Sequence, residues 1–204
     1  MDLQEQLIHV ATDLFLKYGI KSISMEDISR QMGISKKTLY SIIESKSDLV
    51  RMILERHLMQ NERDLKSILD SSKDAIDEML QMSTHILNFI THMSPSIIYD
   101  LQKYHPQCWK MIQDDKETHV STRIYNNLVR GQGEMLYRTD FNPAIITRLY
   151  INKATSITDQ RVFPLIEFDR ALLFKEITKY HLFGIISEKG LKSILRNYRK
   201  FFSI

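Results

Sequence analysis

Leu7, Val10, Ala11, Leu14, Phe15 and Tyr18 recur at intervals of three and four residues. That spacing puts all six on one face of a helix and predicts an amphipathic first element. Gly19 follows the last apolar position, where a residue free to take positive φ ends a helix at low cost. Ser24-Met25-Glu26-Asp27 then reads as a capping box opening a second helix, whose apolar positions are Met25, Ile28 and Met32. Gly33-Ile34-Ser35 supplies a left-handed turn residue, an apolar plug and a cap for a third helix over about Lys36 to Ile43. Leu39, Ile42 and Ile43 are its apolar positions, and Ser45-Lys46-Ser47-Asp48 caps a fourth helix.

Beyond Lys46 the helical pattern continues, with breaks at Ser71-Ser72, Ser94-Pro95, His105-Pro106, Gly131-Gln132-Gly133, Asn142-Pro143 and Val162-Phe163-Pro164. These breaks predict six or so further helices. Between Glu167 and Ser187 the apolar residues form two stripes, Leu173, Ile177, Tyr180 and Gly184 on one side and Ala171, Phe174, Leu182 and Ile185 on another. One stripe suits packing within the subunit. The other, with Gly184 permitting close approach, suits the same helix of a second copy, and a helix over Asn142 to about Asp159 is its companion in a four-helix seam. Met79 to Tyr99 carries no formal charge over the length of a membrane span, but polar residues such as Gln81, His85, Asn88 and His92 recur through it. A buried helix beside a cavity or partner fits better than a span.

Composition narrows the class. Six Gly and four Pro in 204 residues are sparse punctuation for a many-stranded protein, so an all-α fold is expected. The net charge of +3 is too small to imply a polyanion partner by itself, and residues 1–50 hold six cations against seven anions. A lone cysteine, Cys108, forms no intrachain disulfide, and the chain begins without a basic leader, so a cytoplasmic protein with no membrane contact is expected. Phosphate-cradle, nucleophile-elbow and zinc-protease motifs do not occur, so no enzyme and no cofactor or metal is expected.

The third helix begins with cations and hydroxyls, which is what a recognition helix presents amino end first to the major groove. The run Ser24-Met25-Glu26-Asp27-Ile28, Gly33-Ile34-Ser35-Lys36-Lys37-Thr38-Leu39-Tyr40 and Lys46-Ser47-Asp48-Leu49 closely resembles the DNA-binding domain of the TetR family of transcriptional regulators. The resemblance implies an all-helical homodimer: a helix-turn-helix DNA-binding domain over residues 1–48, then a helical ligand-binding and dimerisation domain over 49–204, joined by a linking helix. It further implies a regulator, most often a repressor, of a pseudo-palindromic double-stranded DNA operator, released by a small-molecule effector of unknown identity. A helical ligand-binding protein, or a regulator controlled by a protein partner, is the alternative.

Where the family usually has Tyr or His and then Phe, this chain has Ile42 and Ile43, and Ile42 cannot donate to a phosphate. Grip on the DNA backbone is therefore expected from Thr38, Tyr40 and Lys46, with the caps Ser24 and Ser35 beside them and Lys36, Lys37 and Ser41 reading bases. For the effector, His85, Phe89, Met93, Trp109 and Tyr125 supply a Met- and aromatic-rich wall, though the same residue types also build a helical core. For dimerisation the expected residues are Leu173, Ile177, Tyr180 and Gly184.

Overall fold

The computed structural model describes residues 2–202, of which the first three helices bury the stripes their spacing dictates. Helix α1 (Leu3–Tyr18) buries Leu7, Ala11 and Phe15 and stops at Gly19, whose φ of 87° only glycine adopts readily. Helix α2 (Met25–Met32) starts in a complete capping box between Ser24 and Asp27 and ends at Gly33 in the left-handed region. Helix α3 (Lys36–Tyr40) is capped by Ser35, and Leu39 anchors it with no exposed surface. It is shorter than its apolar pattern suggests, because Ser41 to Ile43 form a turn that still carries Ile43 into the core.

Helix α4 (Lys46–Ser71) is followed by α5 (Ala75–His92), α6 (Ile97–Tyr104) and α7 (Pro106–Asp115). A π-helical turn over Lys116–Val120 leads without a break into α8 (Ser121–Gly133). Helices α9 (Pro143–Ser156) and α10 (Arg170–Ile185) come next, the first capped by the Asn142 side chain and the second by Asp169. The chain continues through α11 (Glu188–Ser193), a second π-helical turn over Ile194–Tyr198, and α12 (Arg199–Phe202). The tail is thus divided where its pattern suggests one basic amphipathic helix. Ile194 is fully buried, while Leu191 and Leu195 are exposed.

No strand occurs among the described residues, and the one β-like contact among them is an isolated bridge between Tyr137 and Ile186. The fold is all-α.

The chain forms two compact units. The first comprises residues up to Asp64 together with His92–Asp115, so α6 and α7 join the amino-terminal helices. Its core packs Leu7, Phe15, Ile28, Leu39 and Leu49 against Ile97, Leu101 and Cys108. The second comprises Leu65–Thr91 and the chain from Lys116 onward, with a core of Ile76, Met79, Ile124, Leu128, Tyr137, Leu182 and Ile194. No helix among the described residues is long and apolar enough to cross a membrane.

Candidate nucleic-acid interface

Helices α2 and α3 are fixed to one another by local chemistry. Asp27 Oδ2 accepts from the Ser24 backbone N–H at 2.9 Å and from its hydroxyl at 2.6 Å, while Ser24 Oγ accepts from the Asp27 N–H at 3.1 Å. The Ser24 donors hold the Asp27 carboxyl below its ordinary pKa. Ser35 Oγ accepts from the Thr38 N–H at 3.0 Å, and the two hydroxyls lie 2.8 Å apart. Lys36 pairs with Glu26 of α2 at 2.6 Å, which lowers the Glu26 pKa and ties the start of α3 to α2.

The remaining predicted readers separate into free and committed groups. Lys37 is exposed, and its side chain makes no ion pair or hydrogen bond among the described residues. Tyr40 is half exposed, and Ser41 is exposed with its hydroxyl donating to the Thr38 carbonyl at 2.7 Å. Lys46, expected to hold a phosphate, instead turns inward. Its ammonium donates to the carbonyls of Ile20 and Ile23 and lies 5.7 Å from the Phe15 ring centroid. Burial lowers its pKa, against the attraction of Asp100 and Asp27. The lysine is a latch on the turn between α1 and α2, and any phosphate grip at the start of α4 falls to its backbone N–H groups.

Sequence reasoning had no signal for the acceptor that completes this turn. Asp100 of α6 is buried, and its Oδ2 accepts from the Lys21 N–H at 2.9 Å. The Ser94 N–H donates to the Leu16 carbonyl at 2.7 Å. Asp100 of α6 thereby holds the turn after α1, and Ser94, just before α6, holds the last turn of α1 itself.

The five residues expected to wall a ligand pocket are divided between the two units. Met93 and Trp109 pack with the core of the first unit. Phe89 and Tyr125 are partly exposed in the second. His85 lines an open groove of about 390 Å³ bounded by Ile68, Asp77, Leu80, Gln81, Thr84, Asn88, Tyr198 and Phe201. Its polar residues share one face of α5, at Asp77, Gln81, Thr84, His85 and Asn88, and apolar ones come from α4 and the tail. Proximity to Asp77 and Asp74, after burial, pushes the Tyr198 hydroxyl up to about 12. Cys108 is buried, and burial raises its thiol pKa, so it packs as a small apolar residue. Among the described residues no group of three metal-ligating side chains occurs.

On the residues expected at the dimer seam, Leu173 and Ile177 are half-buried, Tyr180 is 69% exposed, and a Cβ on Gly184 would meet nothing within 4 Å. Their neighbours Ile145 and Leu149 on α9, and Leu172 and Phe183 on α10, are also exposed.

Two helices joined by a Gly33 turn, the second exposing Lys37, Tyr40 and Ser41, make a helix-turn-helix of the kind that DNA-binding regulators use. Residues 7–53 match the family model for bacterial regulatory proteins of the tetR family. The HTH-type transcriptional regulator YvaF of Bacillus subtilis (strain 168) is 25% identical over 148 residues, which cover 71% of this chain and 75% of that protein. Among solved structures, a transcriptional regulator from Saccharomonospora viridis in complex with choline superposes with a TM-score of 0.76 at 14% identity, over 91% of this chain and 98% of its own. The ketosteroid transcriptional regulator KstR2 of Mycobacterium tuberculosis gives 0.64 at 19% identity, over 92% and 96%. Residues 7–53 therefore form a tetR-type amino-terminal DNA-binding domain, and the chain as a whole is similar to transcriptional regulators of that family.

Proposed function

We propose that the chain acts as a homodimeric, ligand-responsive repressor that binds a pseudo-palindromic operator through paired α3 helices. The observation that carries this reading is the outer face of α3, where Lys37, Tyr40 and Ser41 are exposed on a helix pinned by the Ser35 cap and the Lys36–Glu26 pair. Lysine can pair with guanine O6 and N7, and phenol and hydroxyl groups donate to phosphates. Two such helices enter successive major grooves when their half-sites lie about 34 Å apart. The exposed apolar residues of α9 and α10 favour a second copy as the partner that covers them.

The groove beside α5 favours an effector with both polar and apolar parts, since carboxylate, amide and hydroxyl groups of α5 line it together with Ile68 of α4 and Phe201 of the tail. Likeness to a regulator solved with choline and to a ketosteroid regulator supports a small-molecule effector as a class. A coupling of about 1 to 3 kcal/mol between effector and operator suffices for a 5- to 150-fold loss of DNA affinity. The chain's likeness to regulators favours this reading over a catalytic one.

Selection of bound fragments from a random duplex pool, followed by gel shift at fixed salt, tests the reading. Enrichment of an inverted repeat, and loss of its shift in Lys37→Ala and Tyr40→Ala proteins that keep their folded circular dichroism, is the expected result. Undiminished binding by both variants would show that α3 does not read the operator.

A further inference from the structure

The sequence places its DNA-facing cations on α3 and at the start of α4, yet Lys36 is paired and Lys46 faces inward. Other cations of the same unit gather elsewhere. Lys21, in the turn before α2, lies 5.1 Å from the ring centroid of Tyr104, and Lys103 of α6 lies 5.2 Å from that of Tyr99 and 5.5 Å from that of Tyr104. Lys103 Nζ also donates to Tyr99 Oη at 2.8 Å, and the two tyrosine rings meet edge to face with centroids 6.4 Å apart. All four side chains are exposed. Neither lysine pairs with a carboxylate among the described residues; the nearby Asp100 is buried and occupied by the Lys21 backbone N–H.

The Lys103 ammonium opposes the charge on Lys21. Hydrogen bonding and attraction to the tyrosines outweigh that repulsion, raising the pKa of both lysines and fixing where the charges sit. What the cluster lacks is an anion. A phosphate diester suits it because it accepts from two ammonium groups and from phenolic hydroxyls at once. The position selects duplex DNA as its source. Lys21 stands three residues before the Ser24 cap of α2, and the first helix of a helix-turn-helix crosses the DNA backbone.

We propose that Lys21 and Lys103, held by Tyr99 and Tyr104, form an accessory site for a backbone phosphate of the duplex outside the reach of α3. The site rests on the reading of the chain as a DNA-binding regulator. It explains how a helix-turn-helix region with more anions than cations holds a polyanion: part of the grip comes from α6, far along the sequence.

The test needs no operator, because counterion release is independent of sequence. Binding of a fluorescein-labelled 40-bp random-sequence duplex is followed by anisotropy from 50 to 200 mM NaCl. Replacing both lysines, Lys21→Gln with Lys103→Gln, is expected to flatten the plot of log affinity against log salt by about 0.9 per subunit, the contribution of the one phosphate no longer neutralised. Lys21→Arg with Lys103→Arg should retain the wild-type slope. Lys153→Gln with Lys175→Gln, which removes the same charge from the second unit, should leave the slope unchanged. A slope unaltered in the Gln pair, or flattened equally by the control pair, overturns the accessory site while leaving DNA binding intact. Failure of the wild-type protein to bind the duplex at 50 mM NaCl overturns the DNA-binding reading itself and the site with it.

Discussion

Gly19 and Gly33 both adopt positive φ, but their surroundings make different demands. At Gly33 a Cβ would meet nothing within 4 Å, so Gly33→Ala carries only the backbone strain of a left-handed alanine, about 1 kcal/mol. At Gly19 a Cβ would sit 2.2 Å from Ser96 Oγ and 3.3 Å from Asp100 Oδ2. Gly19→Ala must strain the backbone and displace the contact between α1 and α6, for a loss of roughly 2 to 4 kcal/mol. Urea unfolding of the two variants should rank them in that order, and equal costs would show that the α6 contact yields freely. His181 is the other residue with an individual signature. It stacks on Tyr150 with centroids 4.1 Å apart, its Nε2 has no partner among the described residues, and burial, aided by Lys153, lowers its pKa to about 4. The unfolded chain, with an ordinary value near 6.5, binds the proton more readily, so the stability that neutral His181 contributes is complete above pH 6.5 and is lost as pH falls toward 4. Between about pH 7 and pH 4.5 that loss is about 2 kcal/mol. His181→Phe keeps the stack and should flatten the acid limb of the stability profile by that amount in urea titrations at the two pH values.

At the scale of elements, the second unit depends on one polar junction. Arg130 of α8 donates to the buried Glu78 carboxylate of α5 at 3.0 Å, to Glu134 at 2.7 Å, and to the hydroxyl and carbonyl of Ser72 at 2.8 and 3.2 Å. Glu134 in turn accepts from the Ala75 N–H at 2.7 Å, closing the start of α5. Arg130→Met leaves Glu78 buried without its cation, a loss on the order of 3 to 5 kcal/mol, and the double variant with Glu78→Leu should recover much of it. Denaturant titration of the single and double variants measures the difference. Equal stability of wild type and Arg130→Met would show that water reaches Glu78. Helix ends are legible in the sequence wherever one or two adjacent residues decide them: Ser24 with Asp27, Gly33 with Ser35, Asn142 with Pro143. The pairing of Glu26 with Lys36, the inward turn of Lys46 and the place of α6 beside α1 are not, because each depends on residues brought together by packing. Pocket residues are hidden for another reason. Met93 and Trp109 have the same chemistry in a core as in a ligand wall, whereas the polar face of α5 that lines the groove has the pattern of ordinary solvated surface.

For the molecule as a whole, the exposed apolar face of α9 and α10 is where the proposed second copy would change how DNA binding scales. Ile145 and Leu149 stand one turn apart on α9, and Leu172 and Tyr180 are 59% and 69% exposed on α10, more apolar surface than a lone subunit usually leaves to water. Thr147 Oγ1 and Arg170 Nε, on these same helices, are buried without partners among the described residues. A second copy covering this face makes the second α3 an intramolecular binder, which raises operator affinity by about 10² to 10⁴ over one subunit. Leu149→Glu with Leu172→Glu places carboxylates on the face without touching the buried side, where Tyr150, Phe174 and Leu182 pack. Sedimentation should then show a monomer of near-native helicity, and its affinity for an inverted-repeat duplex should fall at least a hundredfold while affinity per subunit for random duplex changes little. A variant that remains dimeric would exclude this face as the seam. A monomer that still binds the inverted repeat with wild-type affinity would instead mean that a single α3, with its neighbouring phosphate contacts, carries recognition, and that the shortage of cations in residues 1–50 sets no requirement for two copies.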